Sequence, residues 1–327
     1  MINRDEPDHL LRRGVVRKRF TPQSVRAFEP FIRTAVRTLL SHAGVDFDFV
    51  EKVAKPLPMM VIGHLFGVPE GDYEKLLDWS DLVATGMSNQ PASFEAEVRD
   101  AVNQFDEYIM EWYQRRLQAP GNDLLSALAL ARESGVLMHR KDFLHEALLL
   151  LVGGDETTRH VASGGLDALL SSPDSMCRLR QDPPVLDSAI EEMLRWVCPV
   201  KNIKRTATRD VTLGNSTVRA GDRLLLLYES GNRDESVFPD PDYFDIERSP
   251  NHHLSFGGFG RHYCLGANLA RLELRVLFEE LIAATTTIER GDESPRMRRG
   301  TFVLLSLIHI SEPTRPRLIS YAVFCLK

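Results

Sequence analysis

Residues 141–171 form the longest stretch in which apolar positions recur at helical spacing, and it contains the run Ala147-Leu148-Leu149-Leu150-Leu151-Val152. At about 1.5 Å of rise per residue, such a helix crosses most of a domain. A helix that is apolar around most of its circumference has to be wrapped by other elements. The remainder of the chain is therefore expected to pack around it as a mainly α protein.

The flanking sequence supplies helices to do so. Residues 7–42 place basic and apolar positions at helical spacing, Asp5-Glu6-Pro7-Asp8 opens one helix, and Thr21-Pro22 opens a second by Ser/Thr capping with proline at the first helical position. Pro56-Leu57-Pro58 precedes an apolar helix through Phe66. Residues 73–117 are helical with a break near Gly86 to Pro91, and Gly121-Asn122-Asp123 starts another helix. A helix over 184–196 follows the central one. Val211 to Val218 reads as two short strands around a turn, Arg223 to Tyr228 as another strand, and 265–284 as a helix. The expected fold is mainly α with a small β portion, in one domain.

Lys and Arg number 40 against 46 Asp and Glu, a formal charge of −6, which does not suit a phosphate-neutralising surface. No nucleic-acid partner is expected. Residues 1–20 are charged and no uninterrupted apolar run is long enough to span a bilayer, so neither a membrane span nor export is indicated and the cytoplasm is expected. Cys177, Cys198, Cys264 and Cys325 form no C-x-x-C pair, which leaves little basis for a disulfide framework or a structural zinc site. The tail is anomalous. Leu305 through Arg315 and Ile319 through Leu326 resemble the two constant parts of a translated transposase-type sequencing adapter, with Pro316-Arg317-Leu318 where a variable index falls. Residues 1–304 are therefore read as the biological part and 305–327 as an adapter-derived tail. Setting the tail aside removes three basic residues and one acidic one, and with them Cys325 as a candidate ligand.

Phe256-Gly257-Gly258-Phe259-Gly260-Arg261-His262-Tyr263-Cys264-Leu265-Gly266 places a cysteine after a flexible turn and directly before a helix. Amide groups at a helix start favour thiolate over thiol, and a stable thiolate is what an iron ligand requires. In the central helix, Gly153-Gly154-Asp155-Glu156-Thr157-Thr158 puts two glycines where each costs about 1 kcal/mol relative to alanine. Glycines there let a ligand approach the backbone, a threonine bonding back to the preceding turn opens a local groove, and an adjacent acid can relay protons. Glu192 and Arg195 sit three apart on one helical face, and Arg248 follows in Phe244-Asp245-Ile246-Glu247-Arg248.

Together and in this order these segments resemble the cytochrome P450 family. Gly260, His262, Cys264 and Gly266 match its haem-binding loop. The loop aromatic usually lies seven residues before the cysteine, where this chain has Gly257; Phe256 is one position further out, as if a glycine were inserted. The resemblance implies the cytochrome P450 fold, truncated at both ends, with haem b (iron protoporphyrin IX) as cofactor and Cys264 as its iron ligand. Gly153 and Gly154 then face the haem, Thr157 is the catalytic alcohol and Glu156 the acid helping to bring protons for heterolytic O–O cleavage, with Asp155 facing solvent or a partner. Glu192, Arg195 and Arg248 form a structural ion-pair cluster, and His9, Arg13, Arg205 and His262 hold the haem propionates. Val200, Lys201 and Asn202 are expected to touch substrate. The wording of Gly153 to His160, Glu191 to Trp196 and Pro199 to Asn202 is similar to actinobacterial steroid side-chain hydroxylases acting on the terminal methyl of cholesterol or cholestenone. Another lipid or terpenoid, a non-catalytic haem carrier and an inactive fragment are the competing expectations. The implied partners are dioxygen, a lipophilic small molecule, and a ferredoxin-type electron donor with its reductase, which meets basic residues including Arg12, Arg13 and Arg261.

Overall fold

A computed structural model describes residues 1–44, 46–86, 92–137, 139–291, 297–298, 305–307 and 311–313. In chain order the helices are α1 (Asp8–Val16), α2 (Pro22–Arg26), α3 (Glu29–Ala43), α4 (Pro56–Phe66), α5 (Tyr73–Gly86), α6 (Ala92–Gln118), α7 (Leu124–Glu133), α8 (Arg140–Leu170), α9 (Pro173–Gln181), α10 (Leu186–Val197), the single turn α11 (Tyr228–Gly231) and α12 (Ala267–Ala284). The strands are β1 (Asp46–Asp48), β2 (Asn202–Thr206), β3 (Val211–Leu213), β4 (Ser216–Val218), β5 (Arg223–Leu227), β6 (Met297–Arg298), β7 (Leu305–Leu307) and β8 (Ser311–Pro313). They form four antiparallel two-stranded ribbons, β1–β8, β2–β5, β3–β4 and β6–β7.

Local chemistry accounts for the helix starts. Thr21 accepts the amide of Ser24 at 3.2 Å ahead of Pro22, and Asp123 accepts that of Ser126 at 2.7 Å. Capping by His139 and Asp142 begins α8, which packs against α4, α5, α7, α9, α10 and α12. None of the residues from Ala147 to Val152 is exposed, as expected of a helix enclosed on all sides. Across from it, Leu274, Leu277 and Leu281 of α12 are buried, each contributing about 1.5–3 kcal/mol of apolar transfer free energy.

The elements not expected from the sequence include α9 and β2. The nine-residue helix α9 carries Asp174, Arg178 and Arg180 and fully buries only Leu179, and β2 is defined by its ladder to β5, in which Asn202 opposes Leu227 and Thr206 opposes Arg223. The helix expected over 184–196 begins instead with a tight turn at Pro183–Val185, and regular α10 starts at Leu186. Of the tail, Leu305–Leu307 and Ser311–Pro313 are strands; its other residues, Cys325 included, lie outside the described residues.

Candidate active site

A cavity lies between α8 and the start of α12. Its lining includes Gly153, Gly154, Thr157 and Thr158 from α8, Phe256, Gly257, His262, Cys264, Leu265 and Gly266 from the cysteine loop, and His9, Arg13 and Arg205. Residues far apart in sequence thus converge because the loop after α11 runs under α8 before α12 begins.

The cysteine loop shows how the extra glycine is absorbed. Gly257, Gly258 and Gly260 have φ of 90°, 64° and 108°, a left-handed region in which a side chain would be strained. The chain bulges outward there, yet the Cys264 amide still donates to the Phe256 carbonyl at 2.9 Å. Phe256 stays buried, edge-on to Tyr263 and beneath the Arg271 guanidinium at 4.6 Å. The shift noted in the sequence therefore leaves Phe256 beside the cysteine, and Gly260 serves the turn rather than the cavity wall. Burial raises the Cys264 thiol pKa, opposed by the amides of Gly266 and Ala267 and by Arg13 and Arg271. A bound metal cation would tip that balance to thiolate.

The two glycines of α8 have different reasons. A Cβ on Gly153 would meet no protein atom within 4 Å, so this glycine borders open cavity, whereas one on Gly154 would lie 3.2 Å from Ile62 of α4. Thr157 Oγ1 donates back to the Gly153 carbonyl at 3.0 Å. One turn of helix around, the picture changes. Glu156 is buried, does not line the cavity, and pairs with Arg159, whose other guanidinium nitrogen reaches Asp81 of α5 at 2.8 Å; Lys55 holds the second Asp81 oxygen at 2.8 Å. Asp155, expected at solvent or a partner surface, is instead fully buried. Helical geometry explains the correction, since Asp155 lies on the side of α8 that packs against α5. Burial pushes the Asp155 and Glu156 carboxyls above the usual carboxylate range, with Arg159 opposing. Asp81, Asp155 and Glu156 are close enough together to hold a cation, a role that Arg159 and Lys55 fill.

On the opposite wall the His9 and His262 rings lie 4.0 Å apart. His9 is buried, its Nδ1 unpartnered among the described residues, and Arg13 Nη2 donates to the Tyr263 carbonyl at 2.8 Å. Burial lowers both histidine pKa values, and neighbouring cations lower them further, Arg13 for His9, and His9 and Arg205 for His262. A cluster of cationic and polar donors with so little negative charge opposite it fits an anionic ligand. An apolar cavity with a cysteine at a helix start, open space over Gly153 and carboxylate-binding groups at one edge fits haem. Its propionates would meet His9, Arg13, Arg205 and His262.

Beneath the loop, Glu192 accepts from Arg195 Nε and Nη2 at 2.7 Å each, from Arg248 Nε at 3.2 Å, from Asn251 Nδ2 at 3.1 Å and from the Asp245 amide at 2.9 Å. Of the expected substrate contacts, Val200 lines the cavity together with Pro199 and Ile203, whereas Lys201 and Asn202 do not. Arg12, expected on the surface beside the cysteine, is buried and tied to Asp8, Asp142 and Glu146, joining α1 to α8. Sequence reasoning did not single out Arg159, Asp81, Lys55 or Glu273. Glu273 lines the cavity, with one oxygen unpartnered among the described residues. Its spacing from Ala270, Leu274 and Leu277 places it on the buried face of α12, a signal that was available.

Among the described residues no helix is long and apolar enough to cross a membrane. The family model for cytochrome P450 matches residues 44–308. A steroid C26-monooxygenase of Mycolicibacterium smegmatis is 41% identical over 307 residues, 93% of this chain and 76% of that protein. One from Mycobacterium tuberculosis is 41% identical over 285 residues, 86% of this chain and 76% of the relative. Among solved structures, CYP109E1 from Bacillus megaterium in complex with testosterone has a TM-score of 0.88 at 33% identity, covering 96% of this chain and 83% of that one. P450BioI in complex with an acyl carrier protein ligated to hexadec-9Z-enoic acid also has 0.88, at 31% identity, covering 95% and 80%. Matched over most of its length by the family model and by monooxygenases of this kind, the chain belongs to the cytochrome P450 family and is a monooxygenase whose cofactor is haem b.

Proposed function

We propose that residues 1–304 carry out hydroxylation of an unactivated C–H bond on a steroid side chain, at the terminal methyl of a molecule such as cholesterol or cholestenone, in the cytoplasm, and that residues 305–327 are an adapter-derived tail with no part in it. The observation that carries the chemistry is Cys264 at the start of α12, opening into the cavity across from Gly153 and Thr157. Haem held there supplies dioxygen activation: with two electrons, delivered singly by a ferredoxin-type donor and its reductase, and two protons, one oxygen atom enters the substrate and the other leaves as water.

The protein's own groups shape that chemistry. Amides of Gly266 and Ala267 hold charge on the Cys264 sulfur. Thr157 presents its hydroxyl to the cavity and donates a proton there, releasing its bond to the Gly153 carbonyl. Glu156 lies off the cavity, so it replenishes that proton by swinging out of its pair with Arg159 rather than by touching substrate. Apolar walls from Leu149, Leu150, Val161, Val200 and Leu269 exclude water and suit a lipophilic substrate.

The steroid assignment is favoured by the C26-monooxygenase relatives at 41% identity. Fold similarity alone favours neither a steroid nor a fatty acyl substrate, since both kinds of complex have the same TM-score. In the reduced holoprotein, carbon monoxide is expected to produce the red-shifted Soret band of thiolate ligation, and Cys264→Ser to abolish it. Cholestenone is expected to shift the ferric spectrum of the holoprotein; a shift with a fatty acyl substrate and none with cholestenone would remove the steroid assignment while leaving the haem chemistry.

A further inference from the structure

At the outer apex of the cysteine loop Phe259 is 96% exposed. It is lifted there by the consecutive left-handed glycines Gly257 and Gly258. A phenylalanine forgoes the free energy of burial in such a place, and at this exposure its ring packs against almost nothing among the described residues. The apex is nonetheless anchored at its base, because the Cys264 amide bonds the Phe256 carbonyl and the Tyr263 amide bonds that of Gly260 at 3.2 Å. Beside it Tyr263 is partly exposed. Basic residues surround the pair: Arg13 bonds the Tyr263 carbonyl, Arg17 lies one turn further along, Arg271 reaches the Tyr263 hydroxyl at 3.4 Å, and Arg261 pairs with Glu6. Glu6 and Glu191 are the acids paired with this group. The patch is therefore net basic on a chain whose formal charge is −6.

We propose that Phe259 is the anchor residue for the electron-donating partner, a small acidic ferredoxin-type protein, inserting into an apolar depression on that partner while the surrounding arginines steer its approach. The inference rests on the haem-thiolate reading and adds to it a single contact. Aromatic anchors ringed by polar and basic groups are the usual form of a binding hot spot, and opposite charge around them raises the association rate in a salt-dependent way. The glycine bulge has the geometry this requires. It carries the ring clear of the surface while leaving the peptide bonded to the iron-ligating cysteine in place, so a partner seated on the ring lies directly behind the cysteine.

The test uses the holoenzyme, a plant-type [2Fe–2S] ferredoxin and its reductase, with turnover measured against ferredoxin concentration at low and high salt. Phe259→Ala is expected to raise the ferredoxin concentration at half-maximal rate roughly tenfold, and Phe259→Glu to raise it further by repelling an acidic partner. Peroxide-driven turnover, which bypasses the donor, is expected to stay unchanged in both, as is the carbon monoxide spectrum. Equal ferredoxin dependence in parent, Ala and Glu variants overturns the proposal. A parent holoprotein lacking the thiolate band overturns the haem reading itself, and this proposal with it.

Discussion

Two glutamates in this protein are each buried, each three residues ahead of an arginine on the same helix, and each salt-bridged to it: Glu192 with Arg195 on α10, and Glu156 with Arg159 on α8. Their surroundings differ. Around Glu192 both carboxylate oxygens accept several hydrogen bonds, and Arg195 and Arg248 send their remaining donors to the carbonyls of Asn232, Pro239, Asp240, Pro241 and Tyr243. Around Glu156 more is left open: its Oε2, Arg159 Nε and both His160 ring nitrogens are buried without hydrogen-bond partners among the described residues. A fully satisfied network fixes one geometry, while a partly satisfied one leaves polar groups able to change partner or protonation state. The same local pattern thus yields a saturated cluster in one place and, at the residue we propose to handle protons, a less saturated one in the other.

The largest effect that tests this contrast is expected at the saturated cluster. Glu192→Gln or Arg195→Ala leaves buried charge unpaired and is expected to cost about 3–5 kcal/mol, with loss of haem-retaining protein on purification; a melting temperature equal to the parent's would erase the distinction. At the other glutamate, Glu156→Gln is expected to cut ferredoxin-driven turnover roughly a hundredfold while changing stability far less. Its pH dependence sharpens the difference. Burial raises the folded-state pKa of Glu156 above its unfolded value, and Asp155 shares that direction, with Asp81, Lys55, Arg159 and His160 facing them. Through the interval from the usual carboxylate range up to the raised value the folded state binds more protons than the unfolded chain. Stability from this group is therefore present at low pH and lost as pH rises. Melting measured across that interval is expected to slope downward in the parent and less steeply in Glu156→Gln. The smallest effect is at Gly153, where alanine is expected to stabilise the haem-free helix by about 1 kcal/mol. Because the added methyl projects into open cavity, the same change is expected to speed haem loss to an acceptor such as apomyoglobin.

Helical periodicity in the sequence was enough to locate α8, which the structure places at Arg140–Leu170, because an apolar pattern of that length has no other stable arrangement. Capping residues likewise marked α2 and α7, since those bonds are local. Neither α9 nor β2 was legible: the first has a weak apolar face, and the second exists only through its partner strand. Among the site residues, Cys264, Gly153 and Thr157 were visible as motifs, and the cavity they share with His9 and Arg205 gathers positions from both ends of the described chain.

By itself the sequence determined which residues carry reactive atoms and which segments are helical, because both depend on side-chain chemistry and near neighbours. Only the tertiary structure decided that Asp155 and Arg12 turn inward, that Lys201 and Asn202 stand off the cavity, and that Phe259 rather than Phe256 meets solvent. Those outcomes depend on which faces of separate elements are pressed together, and burial, which shifts charge and fixes access, is a property of that packing rather than of any local stretch of chain.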